Sequence, residues 1–281
     1  MSRWRLRLSL FLLLPAALLI AALYLLPLVH LTALSFGEKS FSFAAYGDLF
    51  GPWSYVRILL RTFRLSFAVV AGSIVLGFPV GYVLAASPPR RRALLALLVL
   101  LPLWTSVLVR NFAWIYLLRS EGILSSLIGH LLHPGEPAQL LYNDFGVTMA
   151  MINTLLPFMV FPVYLALASQ SQALREAAAT LGARPAQVFM RVTLPLARGG
   201  IVAGSLFVFA TAVGFFITPA LLGGGRVLTA AIFINQQIEE FVNWPLAAAA
   251  AIVLLAIVTA LVLLWRRTAG PSFLGAEHAI E

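Results

Sequence analysis

Ten carboxylates, four histidines and a single lysine are the acid–base and nucleophilic groups of this 281-residue chain, and cysteine is absent. Ionisable groups inside a membrane are costly and are kept there mainly for function. None of the ten carboxylates falls within a long apolar run of this sequence. The i, i+3 pair His130 and His133 lies near Glu136, but no further ligands at metal-binding spacing accompany it, so a solvated loop is the plainer reading. Lys39 stands in Gly37-Glu38-Lys39-Ser40, which is not the G-x-x-x-x-G-K-S/T loop that cradles phosphates. No H-E-x-x-H or G-x-S-x-G motif occurs. Neither a hydrolase nor a self-powered ATPase is expected.

The elements that would carry any function are apolar. Hydrophobic residues make up 61% of the chain and charged residues 10%, where a soluble domain carries about 25% charge. Mean hydropathy is +0.96, which excludes a soluble globular protein. A membrane helix needs about 20 apolar residues. Six such runs are expected, at about 9–34, 65–86, 93–118, 146–168, 200–222 and 245–265, within a single all-α membrane domain spanning 1–281. Only the third run contains a charge, Arg110, which can snorkel outward or serve the structure. The charge-free stretch from Leu8 to Gly37 exceeds the apolar region of a signal peptide, so an uncleaved span is expected. Prolines and glycines interrupt several runs, among them Pro102, Pro157, Pro162, Gly214 and Pro219, and are expected to kink helices.

Basic residues fix the orientation. Twelve of the nineteen fall on one side of the six runs: Arg3, Arg5, Arg7, Arg90, Arg91, Arg92, Arg175, Arg184, Arg191, Arg198, Arg266 and Arg267. Both termini are therefore expected in the cytoplasm. Arg57, Arg61 and Arg64 share one helical face on the outer side, either at a cavity mouth or partner surface or at a helix end leaving the lipid. Glu239 and Glu240 are also expected outside, on a solvated loop or at the entrance of a path.

Residues 169–199 form a cytoplasmic loop between the fourth and fifth runs. Leu174, Ala177, Ala178 and Leu181 follow helical spacing, Gly182 is placed to stop the helix in a left-handed conformation, and Pro185 can open a second helix ending near Leu194-Pro195. A face of alanines suits insertion into a protein groove better than into lipid, which favours bulky side chains.

This loop resembles that of the membrane permeases of binding-protein-dependent ABC importers. Their motif reads E-A-A, three residues, G, nine residues, I-x-L-P. Here it is Glu176-Ala177-Ala178, Gly182 and Val192-Thr193-Leu194-Pro195, with Val in place of Ile. The segments Leu108–Trp114, Leu156–Met159, Thr218–Gly224 and Asn243–Ala247 look most similar to polyamine permeases. Those permeases often carry Asp after the glycine that precedes Thr-Pro, whereas this chain reads Gly214-Phe215-Phe216-Ile217-Thr218-Pro219.

The resemblance implies a six-helix type I permease fold, with Glu176, Ala177, Ala178, Gly182, Leu194 and Pro195 coupling it to ATPase subunits. It implies Arg110, Asn153, Phe215, Phe216, Thr218 and Pro219 along the translocation path. The expected partners are two ATP-binding cassette ATPases, a second and different permease, an extracytoplasmic solute-binding protein and membrane lipid; no cofactor, metal or nucleic acid is implied. The expected location is the bacterial inner membrane, and the expected cargo a small organic amine of polyamine type. The alternatives are an importer permease for a less cationic amino compound, an ion-coupled secondary transporter or a non-transporting scaffold. The absence of intramembrane acids and of internal repeats counts against ion coupling.

Overall fold

The computed structural model describes residues 2–37, 41–51, 53–132, 139–170, 178 and 180–268, and these are helical with short connections. Helices α1 (Ser2–Leu34), α2 (Ala44–Phe50), α3 (Trp53–Ala86), α4 (Pro89–Trp104), α5 (Val107–Leu118), α6 (Ile123–Leu132) and α7 (Asp144–Ala168) lead to a helical run, α8, from Pro185 to Leu196. There follow α9 (Arg198–Val213), α10 (Ile217–Gly223), α11 (Ala230–Glu239) and α12 (Trp244–Thr268). Among the described residues, four helices are long and apolar enough to cross a membrane, or up to six if each of two bent pairs counts as one span. The chain is thus a multi-pass membrane protein.

The third apolar run is two helices, not one. Pro89–Trp104 and the helical stretch from Val107 meet at 96°, across Thr105 and Ser106 in extended conformation. The fifth run is also interrupted: α9 stops at Val213 and α10 begins at Ile217. The second run, in contrast, is longer than its charge-free portion. Arg57, Arg61 and Arg64 all lie within α3, so this helix carries its arginines as part of one continuous rod.

Two compact units divide the contacts: Met1–Val56 with Phe233–Ile257, and Arg57–Ile232 with Val258–Glu281. In the first, Phe36 stacks on Phe41 at 4.7 Å between ring centroids, and Tyr46 shares a 2.8 Å hydrogen bond with Ser35. Tyr55 donates to the Ala250 carbonyl at 3.0 Å, where the buried alanines 247–250 leave room for a ring against the backbone.

The second unit is organised on α7, whose Val147, Met151, Leu155, Met159 and Val163 are buried. Two G-x-x-x-G patterns meet it: Gly77 and Gly81 on α3, and Gly200 and Gly204 on α9. A Cβ at Gly77 would lie 2.7 Å from Met159 Cγ, and one at Gly204 2.9 Å from Met159 Sδ. In a bilayer, where lipid is as apolar as leucine, helices associate through such close backbone approach. Pro162 removes the ladder hydrogen bond to the Phe158 carbonyl, and α9 passes that carbonyl with only Gly204 between.

Candidate functional site

Around the two broken runs the structure gathers most of the residues expected along the path. Pro102 lies in α4 just before the first break, and its carbonyl receives both the Thr105 hydroxyl, at 2.9 Å, and the Arg110 guanidinium. A helix C-terminus carries partial negative charge and carbonyls without donors. Arg110 supplies the missing donor and the opposite charge. Of the two roles expected for it, the structure shows the structural one: it caps the helix that precedes its own.

Asn111, next in sequence, is 1% exposed, and its Oδ1 accepts a 2.9 Å hydrogen bond from Thr218 Oγ1 in the first turn of α10. This contact pins the segment after the first break to the segment after the second. Pro219 is buried beside it, whereas Phe215 is half-buried and Phe216 is 37% exposed at the second break. Asn153, half-buried on α7, lies 3.5 Å from Trp114 Nε1 of α5. It also lines a cavity of about 400 Å³ whose other walls include Pro79 and Val83 of α3 and Leu98 and Pro102 of α4. The Asn153 amide is the polar side chain in an otherwise apolar lining.

Asn111 was legible as part of a motif, but nothing local marked it as a contact. Its partner is 107 residues away. Asp144, one of the ten carboxylates outside the apolar runs, is likewise marked by nothing local. It receives Arg61 through Nε at 3.0 Å and Nη2 at 2.6 Å, and Arg64 on its other oxygen. Arg61 also donates to the Arg226 carbonyl at 2.5 Å. Two of the three arginines on that face thus tie α3 to the N-terminus of α7, where an acid is favoured by the helix dipole; Arg57 stays exposed. Asp144→Ala should lower stability by about 1–2 kcal/mol, since the pair is partly solvated and two cations lose their partner. Thermal unfolding in detergent checks this; an unchanged Tm would mean that the clamp contributes nothing.

In the loop after α7, Glu176 and Ala177 lie outside the described residues, as do Lys39, His133 and the C-terminal residues 269–281. Ala178 is half-buried, Leu181 is 89% exposed, and Gly182 adopts φ +80°. Pro185 opens α8, with the Arg184 amide donating to Gln187 Oε1 at 2.9 Å. The helix ends at Leu196, next to the expected Leu194-Pro195, with Pro195 itself still inside it. A π-helical turn, Phe189–Thr193, shifts the ladder so that the Leu194 amide bonds to Phe189, and the proline's missing donor falls where the register has already changed. The run stops at Leu196, and α9 leaves at 56°. Phe189 packs edge-on against Phe78 and Tyr82 of α3, at 5.8 and 6.1 Å, which holds α8 against the bundle. Glu239 and Glu240 are exposed at the end of α11.

Comparison with known proteins gives this arrangement a family. Residues 74–273 match the family of binding-protein-dependent transport system inner membrane components. The chain is 34% identical over 234 residues to the spermidine/putrescine transport system permease protein PotB of Escherichia coli (strain K12), covering 83% of this chain and 84% of that one. It is 36% identical over 217 residues to the inner membrane ABC transporter permease protein YdcU of the same organism, covering 73% and 69%. In fold it is similar to a bacterial alginate ABC transporter solved with an alginate-bound periplasmic protein, with a TM-score of 0.78, 18% identity and 96% of each chain covered. ATP hydrolysis in such a system belongs to a partner ATPase, so the chain is a non-catalytic subunit. The protein belongs to the binding-protein-dependent transport system inner membrane components, and is the permease subunit of an ABC importer.

Proposed function

We propose that this permease forms half of the path for a small organic polyamine, paired with a different permease, two ATPase subunits and an extracytoplasmic binding protein that selects the cargo. The observation that carries this reading is the 34% identity to a spermidine/putrescine permease over most of both chains. Residues 169–199 couple ATP binding to opening of the path, with Glu176, Ala177, Ala178, Gly182, Leu194 and Pro195 at the ATPase contact. Both termini face the cytoplasm of a bacterial cell, in keeping with the bias of arginines. Arg110, Asn153, Phe215, Phe216, Thr218 and Pro219 flank the path, and Arg110 acts through the helix it caps.

A second reading is an importer for a less cationic amino compound, because no Asp or Glu lies in the apolar runs and Phe215 and Phe216 follow Gly214. A desolvated polycation needs compensating dipoles or charge. Calorimetry of the cognate binding protein with putrescine, spermidine and neutral amino compounds separates the two. Tight binding of a polyamine is expected. Tight binding of a zwitterion with no heat from either polyamine would overturn the polyamine reading and leave the importer in place.

A further inference from the structure

The two breaks in the apolar runs are treated differently. At the first, the carbonyl of Pro102 is capped by Arg110 and Thr105. At the second, the amides of Gly214 and Phe215 both turn to the Ala212 carbonyl, so Ala210 and Thr211 lose their ladder donors. No described side chain donates to either carbonyl; the Thr211 hydroxyl donates back to Phe207. Phe207, Ala210 and Gly214 are exposed and Thr211 is half-buried, at i, i+3, i+7 and i+4 along one face of α9.

Gly214 sharpens the contrast. Its φ of −88° is open to any residue, so conformation does not require glycine there. Packing does not require it either, because a Cβ at this position would meet nothing within 4 Å. The open space lies beside the negative end of a 16-residue helix, about 24 Å from the start of α9 at about 1.5 Å per residue. Backbone freed from its ladder at membrane depth is tolerated only where it meets protein or a water-filled cavity, so this face does not look into lipid.

We infer that the end of α9 is a carbonyl cradle for an ammonium group of the cargo, with the Ala210 and Thr211 carbonyls accepting its N–H donors beside Gly214 and the exposed ring of Phe216. It is to the cargo what the Pro102 carbonyl is to Arg110. The absence of a side chain at 214 lets the cation approach the backbone, and neutral carbonyls hold it weakly enough to release it. The inference rests on the polyamine reading above.

The test uses the complete assembly in proteoliposomes with saturating loaded binding protein, spermidine as cargo, and basal ATP hydrolysis as a check on assembly. Gly214→Val fills the open space and should slow uptake about tenfold. Gly214→Lys places a tethered ammonium over the carbonyls and repels the polycation, whereas Gly214→Gln is similar in length and uncharged; uptake by the Lys variant should be about tenfold below that of the Gln variant. Equal uptake by the Lys and Gln variants, or wild-type uptake by the Val variant, overturns the cradle while leaving the polyamine reading intact. If the Lys variant fails to assemble, the Val variant decides alone. Failure of the wild-type assembly to import spermidine or putrescine at all overturns both.

Discussion

Gly200→Val is expected to cost about 3 kcal/mol of stability, while Gly199→Ala, one residue earlier, costs nothing. A Cβ at 200 would lie 2.4 Å from the Pro162 carbonyl oxygen, 2.7 Å from Ala166 Cβ and 2.9 Å from the Pro162 carbonyl carbon. Most of that obstacle is backbone. No rotamer change relieves it, and α9 must move away from α7, losing the contacts that also seat Gly204 on Met159. Alanine gains about 1 kcal/mol of helix propensity over glycine, so Gly200→Ala should be milder but still destabilising. At Gly199 nothing lies within 4 Å of the added Cβ, and Gly199→Ala should be neutral or slightly stabilising. Unfolding of the purified variants in mixed micelles reads all three. A Gly200→Val variant as stable as wild type would show that α9 and α7 do not pack as described.

Gly182→Val should reduce import and substrate-stimulated ATP hydrolysis about thirtyfold with no loss of membrane insertion. Gly182 sits at φ +80° with no atom within 4 Å of an added Cβ, so the effect is conformational and not one of crowding. An L-residue in the left-handed region costs about 1–2 kcal/mol, and more when β-branched. About 2 kcal/mol corresponds to about a thirtyfold loss of the loop conformation that would enter the ATPase. Asn tolerates that region, so Gly182→Asn should stay within about threefold of wild type. Equal impairment by Asn and Val would move the cause from backbone angle to a contact made in the assembly. Wild-type transport by the Val variant would remove the loop from the coupling path.

What the sequence determined alone is what a bilayer imposes on any chain. Apolar runs of about 20 residues, their arginine-marked ends, a left-handed Gly182 and a helix opened by Pro185 are local consequences of hydrophobicity and backbone stereochemistry. They could be read without knowing what touches what. The two G-x-x-x-G patterns were also written locally, but that Gly77 and Gly204 both meet Met159 was not, because a small residue states only that something comes close. Pro102 marked a kink in the third run, but not its size; the right-angled bend at Thr105 and Ser106 goes with Arg110 turning back to Pro102 and with Asn111 reaching Thr218. Arg61 and Arg64 were read as a shared face, and only folding brought them to Asp144, more than 80 residues on for Arg61. In lipid the apolar face of a helix has no preferred neighbour, so composition selects the helices, while polar groups that cannot remain unpaired in hydrocarbon and glycines that admit close approach decide how they meet.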